Sequence, residues 1–234
     1  MILTKFCTPE TRSFMLQGGF KIGTHAGYSK GEATGLLSDT EEGRGSHSID
    51  GDVHGWNGVL GTNSFENITF TGGGSLFKIN MSVNCNIFCC TSGPYDGATH
   101  DKLLNGFELY RPNSDLTAHI LLDSHKFLRA LSLMSTDLLT SKHKWVPAKV
   151  IYGARDISVK AIRSSGLTSY QLRNEQIKRA FTKPPAFKPE NEFRFALFQS
   201  ENSQPGDLFT SGMQSHIREA FQNAIISDGR DYPI

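Results

Sequence analysis

The spacing of apolar and polar residues changes period several times along this chain. Short runs rich in β-branched and aromatic side chains fall at 66–70 (ENITF), 75–83 (SLFKINMSV) and 86–92 (NIFCCTS). Bounded by Gly and Asn, they predict strands. Residues 115–123 (DLTAHILLD) and 148–153 (AKVIYG) read the same way, the second ended by Gly153. Residues 13–24 (SFMLQGGFKIGT) predict a strand or hairpin bent at Gly18 and Gly19. In EFRFALF, Phe193, Phe195 and Leu197 alternate with Arg194, Ala196 and Phe198. The second set is not uniformly polar, so both faces are expected to be covered, as in a central strand.

Other stretches have helical spacing. From residue 124, SHKFLRALSLM brings Phe127, Leu128, Leu131 and Met134 into register, with Ser124 as the cap. TSYQLRNEQIKRAF (168–181) predicts a polar helix. Met213, Ile217, Phe221 and Ile225 lie four apart and form one apolar stripe on a C-terminal helix. Together these elements predict an α+β fold, mostly antiparallel strands with a few flanking helices. A length of 234 residues fits a single domain, 1–234, large enough to bury its own core. Residues from about 25 to 65 form a long, polar, Gly-rich loop region within it. Such loops are rare without structure in a compact domain, so a functional loop, a lid or short concealed elements are expected there.

Composition adds exclusions. The 38% hydrophobic and 20% charged content is that of an ordinary folded protein. With 24 basic and 23 acidic residues, bulk charge attracts neither nucleic acid nor an anionic membrane. No apolar run approaches 18 residues and the N-terminus carries no signal-like stretch, so no membrane association is expected. The four cysteines, Cys7, Cys85, Cys89 and Cys90, make no disulfide framework. They point to a reducing, cytoplasmic setting and to buried thiols.

The first candidate for chemistry is KPENEFRF. In an extended segment Glu190 and Glu192 point to one face, where two carboxylates can polarise a ribose hydroxyl and steady a developing cation. The competing reading is structural, an ion-pair network with Lys183 and Arg194. The second candidate is FKIGTHAGYSKGE. Gly23 allows close backbone approach, while Thr24, His25 and Tyr28 supply a hydroxyl, an imidazole and an aromatic face for a nucleotide. Its competitor is a strand ending in a turn with an exposed histidine. The acidic stretch with Asp39, Glu41, Glu42, Asp50 and Asp52, interleaved with His47 and His54, matches no metal-loop spacing and reads as solvated. No phosphate-binding glycine loop and no nucleophile elbow is present. No metal site is expected.

The order of these phrases resembles a broad bacterial and phage-associated family over residues 14–198. The phrases are FKIGTHAGYSKGE with SDTEEGR, then NIFCCTS, TAHILLDSHKFLRAL, and a closing K-x-P-x-F-x-x-E-x-E-F-R-F from Lys183 to Phe195. A more distant resemblance is to ADP-ribosyltransferase-like proteins, which place a His or Arg near Gly-Thr early and a glutamate at a late strand. His25 beside Gly23 and Thr24, then Tyr28, then Glu192 follow that order. The chain departs from it in reading Gly-Thr-His, and its nearest middle phrase is GLTSYQL. The resemblance implies an NAD-using ADP-ribosyltransferase or NAD glycohydrolase in phage–host conflict, with NAD as substrate. Glu192 would be the catalytic carboxylate and Glu190 its helper. Gly23, Thr24, His25 and Tyr28 would line the nicotinamide-ribose pocket, with Arg194 and Lys183 near phosphate. The target would be a protein or a nucleic acid. The alternative is a non-enzymatic defence or anti-defence module that binds a protein partner or a nucleotide signal. A magnesium nuclease fits worst, because ENEFR carries Arg where such sites use Lys.

Overall fold

The computed structural model describes residues 1–30, 44–50, 69–71, 76–83, 85–106, 112–113, 115–139, 143–154, 157–160, 174, 177–199 and 205–226. The elements, in chain order, begin with β1 (Ile2–Cys7), α1 (Pro9–Leu16), β2 (Lys21–Thr24), α2 (His25–Lys30), β3 (Arg44–Asp50), β4 (Thr69–Thr71) and β5 (Leu76–Ser82). Next come β6 (Asn86–Ser92), α3 (Gly97–Asn105), β7 (Ala118–Asp123), α4 (Ser124–Leu138), β8 (His143–Lys149), β9 (Ile151–Tyr152) and β10 (Ile157–Lys160). The last are β11 (Thr182–Lys183), a 3-10 helix (Pro185–Glu190), β12 (Glu192–Gln199), β13 (Leu208–Phe209) and α5 (Ser215–Gln222). The fold is α+β, and among the described residues no helix is long and apolar enough to cross a membrane.

The main sheet has seven strands, all antiparallel to their neighbours. At its centre β12 lies between β8 and β6. The other edge of β6 is shared. Near its start Asn86 and Ile87 pair with β2, and near its end Thr91 and Ser92 pair with β1. The sheet therefore forks along Phe88–Cys90, with β2 and β13 on one arm and β1 and β7 on the other. A smaller sheet orders β10-β3-β5-β4, with β10 parallel to β3, and β11 pairs in parallel with β9.

The core follows from strand parity, since opposed residues of antiparallel neighbours share a face. On one face Phe193, Phe195 and Phe88 pack with Phe20, Phe127 and Leu131 of α4, and Ile217 and Phe221 of α5. The opposite face carries two smaller apolar clusters. Ile87, Ala196 and Phe198 pack with Ala180 and Phe181, and Phe6 packs with Leu103 and Phe187. Every residue of β12 is buried, as expected of a central strand.

Several elements differ from the sequence expectation. Residues 13–16 are helical and close α1, because the Thr8 side chain caps that helix and Pro9 opens it. The expected bend is real. Gly18 has φ +79, and a Cβ there would lie 2.5 Å from the Arg218 carbonyl oxygen. Asp123 caps α4 in place of Ser124, its carboxylate accepting from the His125 and Lys126 amides. The strand expected at 148–153 is divided: β8 ends at Lys149, and Ile151 and Tyr152 pair instead with β11. Within the region at 25–65, α2 and β3 are the described elements. The rest of that loop, and most of the helix expected at 168–181, lie outside the described residues.

Candidate functional site

The polar cluster sits on the second face of the main sheet, between its two apolar patches. Parity puts Glu192 with Thr91, and Arg194 with Cys89, on that face. The extended geometry that was expected to align Glu190 with Glu192 is absent. Glu190 ends the 3-10 helix, and Asn191 adopts a left-handed conformation at φ 46. The two carboxylates are brought together by Lys183. Its Nζ donates to Glu190 Oε2 at 2.7 Å and lies 2.8 Å from Glu192 Oε2. The Phe187 ring centroid lies 5.1 Å from the same Nζ.

Arg194 closes the other side of Glu192. Its Nε donates to Oε1 at 2.6 Å and its Nη2 to Oε2 at 3.3 Å. Its Nη1 donates to the Ala180 carbonyl at 2.6 Å and lies 3.4 Å from His25 Nε2. Because guanidinium only donates, that nitrogen of His25 holds the lone pair. The Glu192 amide donates to Tyr152 Oη at 2.7 Å, and the Cys89 thiol hydrogen-bonds the Glu192 carboxylate. Arg194 is fully buried, and Lys183, Glu190, Glu192 and His25 are all buried with it. Among the described residues, Glu190 Oε1 has no hydrogen-bond partner.

The two carboxyl groups have opposite acidities. Burial, opposed by Lys183 and reinforced by Glu192, pushes Glu190 up to about 8. Burial also acts to raise Glu192, but Arg194 and then Lys183 overcome it and hold that carboxyl well below its ordinary value. The cluster therefore sets a carboxyl that resists ionisation, Glu190, beside one that favours it, Glu192. Burial raises the Tyr152 hydroxyl, so this residue accepts from the Glu192 amide as a neutral phenol.

The fork brings β2 beside this cluster. Gly23 pairs with Ile87, which belongs to the second face, and so presents no side chain there. His25 follows β2 and reaches Arg194. Thr24 does not join them. Its hydroxyl accepts from the Gly27 amide at the start of α2, and its own amide donates to Asp207. Asp207 in turn pairs with Lys21 at 2.8 Å. Tyr28 lies on α2, and its side chain is outside the described residues. Sequence reasoning missed Cys89, Tyr152 and the Ala180 carbonyl. Alternation along NIFCCTS puts Cys89 on the face opposite Cys90, a signal that was available for Cys89.

Cysteine burial gives a direct test of access. Cys7, Cys85 and Cys90 are buried, and burial pushes the Cys7 and Cys90 thiols up to about 11 and about 12. Cys89, within the forked stretch, is partly exposed. A limiting dose of N-ethylmaleimide, read by peptide mass spectrometry, is expected to modify Cys89 at least tenfold faster than the other three. Equal modification of all four would mean that the sheet opens as a unit. Comparison with family models, with curated proteins and with solved structures gives no match to this chain, so the geometry alone carries the functional argument.

Proposed function

We propose that the chain is a non-enzymatic binding protein that takes a nucleotide at the fork of its main sheet. The observation that carries this reading is the state of Glu192, whose two oxygens are both held by cations within a buried cluster. A ribosyl-transfer carboxylate has to lend its charge to a cation forming on the substrate. One already neutralised by Arg194 and Lys183 lends little. Because burial resists ionisation of Glu190, the two cations Lys183 and Arg194 are balanced mainly by Glu192, and this favours an anionic ligand. Gly23 lies on one side of the fork and the partly exposed Cys89 within it. The proposal includes an ADP-ribosyltransferase-like fold used without its chemistry.

The second reading is the NAD-using transferase or glycohydrolase. It is favoured by one observation, the opposed acidities of Glu190 and Glu192, since pairs of carboxyls driven apart in this way serve as acid and base. Two measurements on purified protein with NAD and with ADP-ribose separate the readings. The binding reading expects nucleotide to raise the unfolding temperature, by about 2.7 kcal/mol of stabilisation at a hundred times Kd. It also expects no nicotinamide release above buffer. Release by the wild type that collapses in Glu192→Gln would overturn it and establish the enzyme. An unfolding temperature unmoved by either nucleotide would remove the nucleotide as ligand.

A further inference from the structure

A second cluster of titratable groups lies at the entrance to α3, apart from the carboxylates. Tyr95 Oη is 3.1 Å from His100 Nδ1, and His100 Nε2 is 2.5 Å from the Leu116 carbonyl oxygen. A carbonyl oxygen can only accept, so Nε2 carries the ring hydrogen. In the neutral imidazole, Nδ1 then holds the lone pair and the Tyr95 hydroxyl donates to it. The ring is fixed in this orientation. Phe6 stacks on His100 with centroids 4.8 Å apart, and His119 stacks on Tyr95 at 4.2 Å. His100 is buried and Tyr95 is partly exposed, with its hydroxyl turned toward the buried imidazole.

We propose that Tyr95 is an activated nucleophilic hydroxyl, with His100 as its general base and the Leu116 carbonyl as the group that positions the base. A hydroxyl, an imidazole and an acceptor behind the imidazole, all within hydrogen-bond reach, are what nucleophile activation requires. The electrophile is a neutral acyl group. Asp96 opens the same helix, and hydrogen bonds from Thr99 hold its carboxyl below the ordinary value. The Asp96 carboxylate, an anion at neutral pH in any case, disfavours a phosphoryl donor at this entrance more than a neutral ester. In the step, Tyr95 Oη forms a bond to the acyl carbon and the bond from that carbon to its leaving group breaks. The phenolic proton passes to His100 Nδ1 and departs on the leaving group.

This site is independent of the nucleotide reading. The probe is p-nitrophenyl acetate, with acetylation located by peptide mass spectrometry. The chain has six tyrosines, so the others serve as internal controls in the same sample. Tyr95 is expected to acetylate at least tenfold faster than any other tyrosine. Tyr95→Phe, which removes only the hydroxyl, is expected to abolish that label with the fold intact by circular dichroism. His100→Phe keeps a ring against Phe6 and is expected to reduce labelling of Tyr95 to the rate of the other tyrosines. A Tyr95 that labels no faster than the rest in the wild type overturns the proposal, as does labelling that survives His100→Phe unchanged.

Discussion

Replacing Arg194 by methionine is expected to destabilise the chain by about 3–5 kcal/mol, the usual cost of removing one partner of a buried ion pair. Arg194 has no exposed surface, and its guanidinium supplies the bonds to both oxygens of Glu192 and to the Ala180 carbonyl. Without it, Glu192 keeps only Lys183 and the Cys89 thiol, and the Ala180 carbonyl loses a donor. For a chain of this size the loss corresponds to a fall in Tm on the order of 10 °C. Lysine at 194 does not restore the site, because a single ammonium cannot reproduce the planar fork that spans carboxylate and carbonyl. The triple variant Lys183→Met, Glu192→Met and Arg194→Met removes both cations and the ionised carboxylate, and replacing a buried ion cluster by apolar groups is often near neutral. It is therefore expected to recover at least half of the loss. Urea unfolding of the three variants tests this. A single Arg194→Met variant within about 1 kcal/mol of wild type would mean that water reaches Glu192 and that the cluster is open.

This network shows what sequence could and could not reveal. The pairing of Lys183 and Arg194 with the two glutamates was visible as one of two readings, because all four stand within twelve positions of one another. The double covering of β12 was also legible, since its second face carries Ala196 and Phe198 beside the charges. The local geometry was hidden. Extended parity was assumed across Glu190–Glu192, but Pro185 and Pro189 belong to a 3-10 helix and Asn191 supplies the left-handed residue that ends it. Contacts distant in sequence were equally hidden. His25 meets Arg194 across 169 positions because β2 and β12 flank the same strand, which no spacing records. Thr24 had the right chemistry for a ligand, yet the turn into α2 uses its hydroxyl as a cap. Tyr95 and His100 were passed over, although Asp96 followed by Gly97 is a readable helix start that sets their separation.

Glu190→Gln is expected to change how stability depends on pH. Glu190 titrates at about 8 in the fold, above its ordinary 4.5, so between those values the native state holds a proton that the unfolded chain has lost. Stability therefore falls as pH rises from about 4.5 to 8, by at most about 1.4 kcal/mol per pH unit. Glu192 acts in the opposite sense. Its lowered value contributes stability above 4.5 that is lost only as pH falls through its folded value, well below. Glu190 thus contributes a falling slope at neutral pH, and Glu192 contributes to the acid limb. Glutamine keeps the size of the side chain and an oxygen for Lys183 but cannot ionise. Its variant is expected to lose the slope between pH 5 and 8 and to gain on wild type by a few kcal/mol across that range. Urea unfolding of both proteins at pH 5, 6, 7 and 8 reads this directly. Parallel slopes would place the proton elsewhere and would leave Glu190 ionised beside Lys183. The cluster's surplus positive charge at neutral pH, on which an anionic ligand depends, would then vanish with it.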